Sequence, residues 1–256
     1  MRQDVLTLSR FYKSPLGVAA KAMILRRIAA LWRPAKDLDL LGVGYAAPYL
    51  DYLAQGARRA VAAMPAVQGV TPWVGEDGQR ATLCPEDGLP FLDCVFDRAI
   101  AAHALEESAN PAALLAELWR VLAPQGRVVL AVASRRGLWA RVDSSPFGHG
   151  RPFSRAQIAQ LLRAARLEPQ AWARALYMPP APWRALTDAV GTWEAVGERI
   201  APRFGGVILV EAVKRQHALI EDPVRKPVFA AAPAAAPAGV MPRGRSQSVE
   251  ISRTFD

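Results

Sequence analysis

From Leu38 onward the chain alternates short apolar runs with segments whose apolar positions recur every three or four residues. LDLLGV, RAVAAMP, RATLC, FDRAIAAHAL and GRVVLAVAS have strand length and end in glycine, proline or polar residues. APYLDYLAQGARR, NPAALLAELWRVLA and SRAQIAQLLRAARLEP have the helical period. Asn110 before Pro111, and Ser154 before its apolar positions, are helix starts: each side chain can accept a backbone N–H that the first turn leaves free. Strands that alternate with helices predict a parallel sheet covered on both faces. Two late strands, AWARALYMPP and FGGVILVEAVK, flank a helical insertion at about 183–203, WRALTDAVGTWEAVGERIAP, and predict an antiparallel hairpin at a sheet edge.

Two stretches stand outside this alternation. GVAAKAMILRRIAALW, residues 17 to 32, spaces Val18, Leu25, Ile28 and Trp32 as one apolar stripe, with Lys21, Arg26 and Arg27 largely off it. The expectation is a helix laid on the core, or alternatively one lying on an anionic surface or a protein partner. Beyond Arg215, FAAAPAAAPAGVMPRGRSQSVEISRTFD is rich in Ala and Pro without apolar periodicity, which predicts a disordered tail over 216–256.

Composition narrows the function classes. The 256 residues are 52% hydrophobic, enough for one domain with additions, and carry a formal charge of +9. Up to Lys36 there are eight basic side chains against Asp4 alone, so the charge gathers in the N-terminal segment. There is no Asn-Pro-Pro-aromatic element and no basic stripe interleaved with aromatics, so neither DNA nor RNA is expected as a partner. No apolar run reaches the roughly 18 residues of a membrane span, and the start lacks a secretory apolar region. The two cysteines, Cys84 and Cys94, fit no zinc ligand set, and no metal is expected. A cytoplasmic, reduced setting is the expectation.

Residues 40 to 47, LLGVGYAA, carry the candidate chemistry. A Gly-x-Gly directly after an apolar run is a tight strand-to-helix turn, and its missing side chains let backbone approach a nucleotide-like ligand. Gly42, Gly44 and Ala47 also fit the dinucleotide pattern, but Arg58 to Thr71 holds no acid for the ribose, which argues against a nicotinamide cofactor.

Further on, Leu89-Pro90, Phe96-Asp97, His103-Ala104-Leu105-Glu106 and Arg120-Val121-Leu122-Ala123-Pro124-Gln125-Gly126 form an ordered series. That series closely resembles the central segment of class I S-adenosylmethionine-dependent methyltransferases of the quinone and small-molecule type. Gln125 departs from it, since the family usually has glycine there. The resemblance, over roughly 37 to 213, implies an α/β Rossmann-like fold. Its seven-stranded sheet is mostly parallel with the last strand antiparallel, helices cover both faces, and the N-terminal segment 1–36 is a candidate lid.

It also implies S-adenosylmethionine as cofactor, with Gly42, Gly44, Tyr45 and Ala46 at the turn and Met64, Pro85 and Glu86 flanking ribose and adenine. Three acids usual in the family are displaced: Leu40 stands at the first position with Asp39 one step off, Met64 and Pro65 near the second, and Pro85 at the third, followed by Glu86 and Asp87. His103, just past the fourth strand of the family's order, is the candidate base toward the methyl acceptor. Tyr12 as an aromatic lid, and His149 and Arg151 on a glycine-rich loop, are candidate contacts to a small-molecule acceptor. The competing expectation is a methyltransferase-like protein that has lost turnover and serves as a binding module.

Overall fold

The computed structural model describes residues 2–75, 78–180 and 190–215. Among these residues nine strands form: β1 (Asp39–Gly44), β2 (Arg59–Pro65), β3 (Val74–Gly75), β4 (Gly78–Gln79), β5 (Ala81–Cys84), β6 (Phe96–Ala102), β7 (Leu122–Ala133), β8 (Leu167–Ala175) and β9 (Val207–Lys214). Six α-helices accompany them among the described residues: α1 (Val5–Lys13), α2 (Pro15–Leu31), α3 (Ala47–Leu53), α4 (Pro111–Val121), α5 (Arg155–Ala164) and α6 (Val190–Ile200). The seven-stranded sheet runs β5-β2-β1-β6-β7-β9-β8, and β3 and β4 make a separate small hairpin. All pairings in the large sheet are parallel except those of β9, which runs antiparallel to both β7 and β8. The α/β sheet and its late edge hairpin agree with the sequence.

Alternation along the strands divides the core. Leu40, Ala62, Ile100, Val129, Ala131 and Leu209 face α1, α2 and α3. Leu41, Val43, Ala101, Val128, Leu130 and Val210 face the side of α4 and α5. Each fully buried Leu or Ile here contributes roughly 1.5–3 kcal/mol relative to an exposed one. Asn110 and Ser154 cap as expected, with Ser154 in a reciprocal capping box with Gln157. Gln125, at the position where glycine was expected, has φ +62, the left-handed region that favours glycine.

The N-terminal helix differs from its expected stripe. Val18 is 55% exposed, and the buried face of α2 runs instead through Leu16, Ala20, Met23, Ile24 and Ile28. The small side chains of Ala19 and Ala20 admit close packing, and burying Met23 with Ile24 turns Val18 outward. The basic side is partly engaged, since Lys21 pairs with Asp51 of α3 and Arg27 with Glu198 of α6. Residues 183–189 of the expected insertion and the tail 216–256 lie outside the described residues. Among the described residues, no helix is long and apolar enough to cross a membrane.

Candidate active site

In a doubly wound sheet the strand order reverses where two neighbours leave in opposite directions, and ligands sit outside the carboxyl ends there. Here that point lies between β1 and β6, where Gly44 leads to Tyr45 and Ala102 leads to His103. The N–H of Tyr45 donates to the Ala102 carbonyl at 2.8 Å, tying the two strand ends together. Gly44 has φ +75, and a Cβ on it would press into that same carbonyl. A Cβ on Gly42 would meet the Leu50 side chain of α3. Gly44 is therefore already required by packing, whatever the loop binds, whereas a Cβ on Gly42 asks mainly the end of the Leu50 side chain to move.

His103 itself has φ +48 and is 1% exposed. Its Nε2 lies 2.8 Å from the Tyr12 hydroxyl, which is 2.9 Å from the hydroxyl of Tyr49. The rings of Tyr45 and Phe147 complete an aromatic lining around Tyr12 and His103. Burial, reinforced by the cation of Arg2, lowers the His103 pKa to about 3, so the imidazole is neutral near pH 7 and a weak base. Glu106, 3.9 Å from His103 Nδ1, is shifted the other way, to about 7, chiefly by burial.

A strap formed by the first residues and α1 closes this crevice. Arg2, its side chain 5% exposed, bonds Glu86 at 2.7 Å, donates to the His103 carbonyl at 3.2 Å and lies 3.8 Å from Glu107. The N–H of Gln3 donates to Glu107, and that of Val5 to the carbonyl of Gln68 on the turn after β2.

The expected site residues are only partly brought together. Gly44, Tyr45, Glu86, His103 and Tyr12 converge, with Ala46 buried at the start of α3. Met64 is fully buried in the core, and Pro85 is exposed beside Glu86. His149 Nε2 bonds the Asp143 carbonyl, while Arg151 serves the carbonyls of Glu106 and Ser108. Those two side chains thus support loop backbone, although His149 lies near enough to Glu107 to favour its charged form. Asp39 binds Arg58 and Arg59 at the amino edge of the sheet, away from the crevice.

Sequence reasoning missed Arg2, Gln68, Glu107 and, as a titrating group, Glu106. Only Glu106 had a signal, as the last residue of the His-x-Leu-Glu turn. Buried polar atoms without good partners concentrate here: Arg2 Nε, Gln3 Oε1, both side-chain amide atoms of Gln68, His103 Nδ1, both Glu106 oxygens and Glu107 Oε1. Backbone N–H groups of Glu106 and Ala133 approach the Glu106 carboxylate without ideal geometry. Buried polar groups are normally paired, so this concentration of donors and acceptors fits a polar ligand at the crevice, as the family's cofactor would be.

The sheet order, the reversed β9 and the crevice define a class I S-adenosylmethionine-dependent methyltransferase fold. Residues 38–130 match the sequence model described as a methyltransferase domain, a match that implies S-adenosylmethionine as cofactor. No curated protein sequence matches the chain. Among solved structures, a possible histamine N-methyltransferase from Thermotoga maritima is similar at TM-score 0.55 and 14% identity, over 82% of this chain and 96% of that one. Geranyl diphosphate C-methyltransferase from Streptomyces coelicolor A3(2) is similar at TM-score 0.52 and 15% identity, over 73% of each chain. A chain from the Haloferax volcanii complex of the Trm112 methyltransferase activator with a methyltransferase gives TM-score 0.51 and 22% identity, over 76% and 90%. At these identities the likeness speaks to the fold.

Proposed function

We propose that this protein transfers a methyl group from S-adenosylmethionine to a small, largely apolar acceptor. The observation that carries this reading is the concentration of unpartnered buried polar atoms at the switch point of the sheet. The cofactor would supply an electrophilic methyl on a cationic sulfonium. Gly44 and Tyr45 would border its amino-acid end, and Glu86 and Gln68 would offer hydrogen bonds in place of the displaced family acids. Tyr12, Tyr45 and Phe147 would wall the acceptor, and the strap carrying Arg2 and Tyr12 would act as the lid of segment 1–36.

The two titrating groups divide the proton work. His103, neutral and bonded to Tyr12, orients the site. Glu106, with its pKa raised to about 7, is the better proton acceptor near neutrality, because a base works best with a pKa close to the operating pH. A cytoplasmic setting belongs to the same proposal, with Cys84 and Cys94 both free thiols. Any protein partner or anionic surface would meet the exposed side of α2, where Val18 and Arg26 lie.

One observation favours the alternative of a binding module without turnover: Arg2 already satisfies Glu86 over the crevice. Titration calorimetry of the full chain with S-adenosylmethionine and S-adenosylhomocysteine, with Gly44→Arg as a blocked control, decides between the two. Micromolar binding that the control abolishes supports the transferase. No heat at millimolar ligand overturns it in favour of the binding module.

A further inference from the structure

A second concave site lies on the same carboxyl edge of the sheet, beyond β7. Ser134 directly follows β7, Arg174 is near the end of β8, and Ile208 is near the start of the antiparallel β9. With Arg136, Phe153 and Arg155 they line a cavity of about 290 Å³. That is close to the lower end of the range for small-molecule sites, roughly 300–1,000 Å³.

Its charge is one-sided. Three arginines and no acidic residue are among its lining, and among the described residues none of the three arginines makes an ion pair. Arg174 donates to Ser134 Oγ and to the Arg203 carbonyl, and Arg155 stacks over the ring of Trp172 at 4.6 Å. Ser134, 1% exposed, accepts from Arg174 and keeps its hydroxyl proton for another acceptor. Partial burial pulls the Arg174 pKa down, with Tyr177 opposing and the nearby Arg155 and Arg136 adding to the fall. The basic cavity near Lys13 and Lys21 is different, because Asp51 lines it and pairs with Lys21.

We propose that this three-arginine cavity binds a phosphoryl group, as a free anion or as the charged end of an organic ligand. A carboxylate offers one fork and one negative charge, enough for a single guanidinium. A phosphate or diphosphate offers more oxygens and more charge, matching several planar forks and a hydroxyl donor at once. Phe153 and Ile208 give the cavity an apolar wall for whatever the phosphoryl group is attached to. The proposal does not depend on methyl transfer.

The test is calorimetry of the full chain in phosphate-free buffer with inorganic phosphate, pyrophosphate, phenyl phosphate and, for comparison, benzoate. The expected result is that the phosphoryl compounds bind and benzoate binds at least about tenfold more weakly, and that Arg136→Gln/Arg155→Gln weakens them by about ten- to a hundredfold at unchanged Tm. Phenyl phosphate binding tighter than inorganic phosphate supports an organic ligand, and equal affinities support a free anion. No heat with any phosphoryl compound at millimolar concentration, benzoate binding equally well, or unchanged affinity in the double variant would each overturn the proposal. S-adenosylmethionine titrated into the same variant should behave as in the parent, which keeps this result separate from the transferase reading.

Discussion

Replacing Glu106 by glutamine removes a titrating group from the crevice and keeps its shape. In the folded protein its pKa rises from 4.5 to about 7, chiefly through burial, with the neighbouring Glu107 adding and Arg2 opposing. Such a raised value means the native state binds more protons than the unfolded chain between those two values. Stability from this group is therefore fully present below about 4.5 and is lost as pH rises through about 7. The loss amounts to about 3 kcal/mol when complete, at 1.36 kcal/mol for each pH unit between the two values. His103 works in reverse: its folded pKa of about 3 against 6.5 makes stability rise with pH across that interval. The two effects cancel in the parent between about 4.5 and 6.5, so the parent curve hides both. Urea denaturation of parent and Glu106→Gln from pH 4.5 to 8.5 separates them. The variant should gain little at pH 4.5 and become more stable than the parent by about 3 kcal/mol above pH 7. A difference that stays flat across the range would show that Glu106 ionises normally and would refute its assignment as a poised base.

Two further outcomes test the local structure. Gln125 is exposed with φ +62, so Gln125→Gly should raise stability by about 1 kcal/mol in urea denaturation, and a destabilised variant would contradict the strain. Ser154→Ala removes the hydroxyl that accepts from the Gln157 N–H and should cost about 1 kcal/mol in the same assay.

How much of this was legible in the sequence follows from where the information sits. Strand and helix periods are local, so β1, β2, β6, β7, α4 and α5 could be placed from apolar spacing and from Asn110 and Ser154. The face of α2 could not, because two overlapping stripes exist and only contact with α1 and the sheet selects Met23 and Ile24 over Val18. The glycine turn was legible as a turn. That Gly44 is required by the Ala102 carbonyl was not, since that contact is tertiary. The crevice was the hardest part, because Arg2 meets Glu86 across 84 positions and Tyr12 meets His103 across 91. His103 looked like a base from its intrinsic pKa, and the full burial that lowers that pKa to about 3 is a tertiary property no local pattern carries.

The strap gives the displaced acids a different meaning. The family positions occupied here by Leu40 and Met64 offer no carboxylate, yet the crevice holds Glu86, Glu106 and Glu107, with the Arg2 guanidinium between Glu86 and Glu107. A sulfonium cofactor is itself a cation, so its entry would exchange one positive charge for another over the same carboxylates rather than add charge to an empty site. The cost of that exchange is set by what Arg2 leaves behind, a bond to Glu86 and one to the His103 carbonyl, each about 1.5–3 kcal/mol for a charged hydrogen bond. If opening costs about 3 kcal/mol, apparent affinity falls by about two powers of ten below that of the open site. On this reasoning the strap, more than the missing acids, sets how tightly the crevice holds its ligand. The same contacts that weaken binding would then reclose Tyr12 and Arg2 over the aromatic wall once a ligand without the positive charge remains.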